Sequence, residues 1–238
     1  MLDTVDDLKV LLKNHLDTFE GSGKSNPLAV DARFELSPRD YLSYASEELD
    51  KNTPLSLINC VSHLKRALDC QLDSFFHIFN LYDLFKKKNL KVQKKLEFIG
   101  AIGFLNSRAL VRLNTIRNKM EHQYTVPDIQ DIDVYFDLIT ALVQLLEYAT
   151  FDSAGSDFDF EIEGCKYSRF YIEYKRQDPH IHILCKSYSS DEEDLTLIVP
   201  AEGNIEDFAF CFKVMRMLNI FWDRQGGSDY VLRELNIT

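Results

Sequence analysis

The sequence predicts an α+β protein: an N-terminal antiparallel helical bundle, then a small C-terminal domain of about four antiparallel strands plus a helix. Three observations predict it. Apolar residues recur at helical spacing through residues 1–150. Between 158 and 200 they switch to apolar/polar alternation. Between these regions, Asp152-Ser153-Ala154-Gly155-Ser156 marks a turn or short linker. The expected domains are therefore 1–150 and 152–238.

The first expected helix starts near Asp3 or Thr4 and runs to about Glu20, with Leu8, Leu12, Leu16 and Phe19 on one face. The stretch GSGKSNP, 21–27, breaks it. Ser37-Pro38 combines a capping hydroxyl with proline at the first helical position and opens a helix to about Lys51. Thr53-Pro54 repeats the signal and opens a long helix to about Lys88, whose apolar face runs from Leu57 through Tyr82. A fourth helix is expected from Leu90 to about Ile102. A fifth is capped at Asn106 or Ser107 and runs to about Tyr124. Val126-Pro127-Asp128 ends it and caps a sixth from Ile129 to about Thr150. The expected strands are 158–164, 168–175, 180–186 and 194–200, and Asn204 opens a final helix.

Composition narrows the function classes. The chain has 238 residues and a formal charge of -11, which excludes a broad nucleic-acid coat. The charge is uneven. Residues 1–60 carry net -5, residues 61–125 net +7 and residues 126–238 net -13. Any contact with a polyanion is thereby confined to the middle segment. No apolar run reaches the ~18 residues of a membrane span. The acidic start MLDTVDDLKV does not read as a signal peptide. The five cysteines are scattered without a C-x-x-C pair, so neither a zinc site nor a disulfide framework is expected, and a cytoplasmic location is. Without a P-loop or G-x-G-x-x-G string, no cofactor is expected.

The basic segment ends in LVRLNTIRNKMEHQY, 110–124. At ~100° per residue, Leu110, Leu113, Ile116 and Met120 form a buried stripe. Asn114, Asn118 and His122 stack four apart on another face, with Arg117 at its edge. Asn118 is placed to bond one nitrogen of His122 and fix its tautomer. Arg117 supplies a forked cation suited to phosphate. The same residues also read as a plain helix end. Arg117 and Glu121 make an i,i+4 ion pair, and His122 favours the negative end of the helix dipole.

Here the sequence resembles the HEPN family of helical ribonucleases and toxins, whose motif is R-x4–6-H with a polar residue after the arginine. It reads Arg117-Asn118-Lys119-Met120-Glu121-His122, and Tyr124 extends it to the R-x4-H-x-Y form. The resemblance covers roughly residues 40–150. It implies a HEPN-like bundle and a metal-independent endoribonuclease, with two motif helices facing each other in a homodimer. It implies Arg117, Asn118 and His122 as catalytic residues and RNA as the partner. It also implies a bacterial toxin or antiviral defence effector. Tyr124 would be a modification site for a nucleotidyltransferase antitoxin. Lys86, Lys87, Lys88, Lys91, Lys94, Lys95, Arg108 and Arg112 are candidates for guiding RNA, or are solvated surface charges. The alternative is a HEPN-like module that binds RNA, nucleotide or protein without cutting.

Other candidates are weaker. Arg176 to His182 repeats the loose spacing, but Pro179 puts it at a strand entrance. His180 and His182 share one side of a strand, with no neighbour in sequence to complete a metal set. Cys60 and Cys70 read as core thiols.

Overall fold

The computed structural model describes residues 2–24, 33–88, 91–104, 108, 115, 129–153, 157–164, 166–189, 193–223 and 226–237. It is mixed helix and antiparallel sheet, as expected. It divides into two compact units, one of residues 29–100 and 104–151, the other of residues 1–28, 101–103 and 152–238.

The first unit is helical. Helix α2 (Pro38–Lys51) and helix α3 (Pro54–Ile78) form an antiparallel pair. Their starts follow from local chemistry. The Ser37 hydroxyl accepts the Asp40 N–H, and the Asp40 carboxylate accepts the Ser37 N–H. Thr53 and Ser56 repeat this capping box, and proline opens both helices. Asn52, in the left-handed conformation at φ 47, ends α2.

The long helix expected to reach Lys88 stops ten residues earlier, at Ile78. Asn80 takes φ 54. The Leu81 N–H then bonds the Phe76 carbonyl at 2.7 Å, and the Asn80 N–H bonds that of His77 at 2.9 Å. This is a Schellman stop, in which a left-handed residue satisfies the last carbonyls. Helix α4 (Tyr82–Lys87) follows, then α5 (Val92–Ala101) and α6 (Ile129–Ser153). The expected fifth helix lies outside the described residues, apart from Arg108 and Thr115, both helical and exposed.

An aromatic cluster packs this unit. The Phe76 ring lies 4.1 Å from Phe85 and 5.7 Å from Phe98, and Phe85 lies 5.2 Å from Phe98. Each fully buried ring contributes ~1.5–3 kcal/mol of apolar burial. Helix α6 buries Ile132, Tyr135, Ile139, Leu142, Val143 and Leu146 at helical spacing. Arg39 on α2 bonds both Glu147 oxygens on α6 through Nε, at 2.9 and 3.1 Å.

The second unit is built on one sheet of five strands in the order β1-β2-β3-β4-β5. Strands β2 (Asp157–Glu161), β3 (Tyr167–Lys175), β4 (His180–Ser187) and β5 (Leu195–Pro200) are the expected meander. Strand β1 (Glu20–Lys24) corrects the expected N-terminal helix. Helix α1 (Val5–His15) ends early, a 3-10 turn covers Leu16–Thr18, and the EGSGK segment pairs antiparallel with β2. Residues 1–28 thus belong with 152–238. Phe19 explains the anchorage, since its ring lies 5.3 Å from Phe160 and 5.0 Å from Phe170.

One sheet face is apolar. Phe158, Phe160, Phe170, Ile172, Ile181, Ile183 and Cys185 are all buried, as strand alternation requires. Helix α7 (Ile205–Trp222) contacts β2, β4 and β5. Its Phe208 and Phe212 rings lie 6.3 and 5.8 Å from Tyr174 on β3. The single expected final helix is two, because α8 (Ser228–Glu234) follows α7. It closes on a second Schellman stop at Asn236, φ 55.

Candidate functional site

Arg117, Asn118, His122, Tyr124 and Arg112 lie outside the described residues. The described part of the basic segment is its lysine run. Lys86 and Lys87 occupy the last turn of α4, and Lys88 caps it. A cation at that end opposes the helix dipole's negative pole favourably. Lys86 also lies 5.9 Å above the Tyr82 ring. Lys86, Lys87, Lys88, Lys91 and Lys94 are exposed, as is Arg108.

The run does not act as one patch. Lys94 pairs with Glu97 at 2.7 Å, one turn along α5. Lys95 is half-buried and ion-paired with Asp73 on α3, so it ties two helices together. Among the described residues, Lys87, Lys88 and Lys91 make no ion pair.

A second polar site lies on the outer face of the sheet, where sequence alone places only His180 and His182. The register sets His182 of β4 opposite Glu173 of β3. The His182 Nδ1 is 3.0 Å from the Glu173 Oε1. The Tyr171 hydroxyl lies 2.9 Å from both Asp157 Oδ2 and Glu173 Oε2. Lys175 reaches Glu173 at 2.6 Å. One phenol proton thus serves two carboxylates, while Lys175 supplies positive charge.

Burial raises the Tyr171 phenol well above its ordinary range, and the Asp157 and Glu173 carboxylates raise it further. For Glu173, burial pushes upward. The hydrogen bonds from Lys175, His182 and Tyr171 together outweigh that and hold it below the ordinary glutamate range. The network is a braced polar patch in which one ammonium stands against two carboxylates. His180 is turned elsewhere, its Nδ1 2.6 Å from the Asp178 carbonyl. Among the described residues no three metal-binding side chains converge. Sequence reasoning missed Asp157, Tyr171 and Glu173 because cross-strand register brings them to His182.

The buried thiols of Cys60 and Cys211 are poor nucleophiles. Burial pushes Cys60 up to about 11 and Cys211 up to about 12, leaving both protonated at neutral pH. Among the described residues no helix is long and apolar enough to cross a membrane. Compared with protein families, curated proteins and solved structures, the chain matches none.

Proposed function

We propose that the protein is a metal-independent endoribonuclease of HEPN type, acting as a homodimer. The observation that carries this reading is the string Arg117-Asn118-x3-His122 at the end of the only net-basic segment of an acidic chain. Two further features support it: long helices that precede and follow the string in sequence, and the exposed Lys86, Lys87, Lys88 and Lys91.

In this reaction a ribose 2′-oxygen attacks the adjacent phosphorus and the 5′-oxygen of the next nucleotide leaves. The products are a 2′,3′-cyclic phosphate and a 5′-hydroxyl. His122 moves a proton at the attacking or leaving oxygen, which is worth ~10²–10⁴-fold. Arg117 offsets the charge that grows on the phosphate oxygens. Asn118 orients His122 or bonds a phosphate oxygen. An ideal helix sets residues five apart, such as Arg117 and His122, ~140° from each other. A two-fold pair of helices brings an arginine of one chain near a histidine of the other. A role as a toxin or defence effector in the cytoplasm belongs to the same proposal.

The test is cleavage of an RNA and of the DNA of the same sequence, with EDTA present. Wild type should cut the RNA only and leave cyclic phosphate ends. His122→Ala should lose cleavage and keep its melting temperature. Cleavage undiminished in His122→Ala would overturn the assignment.

A further inference from the structure

The sheet unit holds a cavity of about 770 Å³, in the range of small-molecule sites. Phe221 and Trp222, at the end of α7, line it together with the buried Phe160. Phe160 lies 5.6 Å from Trp222 and 6.3 Å from Phe221. Asp17, Glu20 and Glu163 line the cavity and are exposed. Among the described lining residues none is basic.

The two kinds of lining group demand different things of a ligand. Aromatic faces attract apolar methylenes and ammonium groups, tryptophan most strongly. The carboxylates attract positive charge. They do not converge on one point, because no three acidic, His or Cys side chains among the described residues are grouped to hold a metal ion. A compact divalent ion therefore satisfies at most part of the site. Separated carboxylates beside aromatic faces favour instead a chain of ammonium groups joined by methylenes.

Strand β1 is shaped to keep the cavity. A register shift between Gly21 and Gly23 marks a bulge, a feature common beside binding sites. Gly21 also lets the Trp222 ring approach the strand more closely than any Cβ allows. We propose that this cavity binds a linear aliphatic polyamine. Its ammonium groups meet Asp17, Glu20 and Glu163, and its methylenes lie along Trp222 and Phe221. This proposal does not depend on the ribonuclease reading.

Trp222 is the sole tryptophan of the chain, so its emission reports on this cavity alone. The full-length protein is titrated with spermidine at low ionic strength, and equilibrium dialysis with labelled spermidine measures binding directly. Magnesium at matched ionic strength is the comparison. One saturable equivalent and a change in Trp222 emission are expected. The triple variant Asp17→Asn, Glu20→Gln, Glu163→Gln changes only exposed side chains and should bind at least about tenfold more weakly. Each single amide variant should show a smaller loss. No saturable spermidine binding by dialysis, binding unchanged in the triple variant, or displacement by magnesium charge for charge would each overturn the proposal.

Discussion

The Trp222 indole lies against the backbone of Gly21, so close that a methyl group on that glycine would overlap the ring. The contact joins the end of α7 to the edge strand β1. It makes a residue without a side chain the fitting surface for the largest one in the protein.

Gly21→Ala should therefore force Trp222 or β1 to move. Overpacking of this kind costs about 1–3 kcal/mol. The expected outcome is a lower urea midpoint together with a red shift of tryptophan emission. An unchanged midpoint would show that the indole swings aside freely.

The Asn80 stop of α3 makes a more local prediction. Asn80→Ala places an ordinary side chain in the left-handed region and should cost about 1 kcal/mol. Asn80→Gly should be neutral or slightly stabilising. The two variants compared by denaturant unfolding separate backbone strain from loss of the asparagine side chain.

The Glu173 network predicts both limbs of a pH profile. The folded carboxyl is held low, so its stabilisation is present above the ordinary glutamate value of about 4.3. It is lost as pH falls through the depressed folded value. The Tyr171 phenol is held high, so its share is present below about pH 10 and lost as pH rises further. Glu173→Gln should flatten the acid limb, and Tyr171→Phe the alkaline limb, of the urea midpoint plotted against pH.

The lysine run divides by environment, and its variants should divide likewise. Lys87→Ala, Lys88→Ala and Lys91→Ala together should lower thermal stability only slightly, by the loss of charge at the end of α4, and weaken RNA binding. The salt slope should shrink by about 0.7 for each phosphate that the triple variant no longer neutralises. Lys95→Ala should instead lower the melting temperature, because it leaves Asp73 half-buried without its cation.

What the sequence reveals tracks how local the physics is. Ser37-Pro38 and Thr53-Pro54 set helix starts within four residues, and both are read correctly. Strands β2 to β5 are legible because alternation and the turns between them are near in sequence. The end of α3 is hidden because Phe75, Phe76, Phe79 and Tyr82 continue the apolar rhythm through Asn80. Strand β1 is hidden because EGSGK has no alternation, and its partner Asp157–Glu161 is remote in sequence. The Glu173–His182 pair needs a register that no single strand contains. The Arg117–His122 string is a purely sequential signal, and its chemistry rests on that string.

Because Lys24 registers with Phe158 on neighbouring antiparallel strands, β1 and β2 form a hairpin whose loop contains the whole helical unit. During synthesis the first strand leaves the ribosome long before its partner exists. The inserted helices, rich in near-neighbour contacts, have time to fold first. Their folding shortens the effective length of chain that must close when β2 arrives, which lowers the entropic cost of the last pairing. The N-terminal segment therefore waits unpaired, and its two glycines and charged ends Glu20 and Lys24 keep that waiting edge from recruiting other chains.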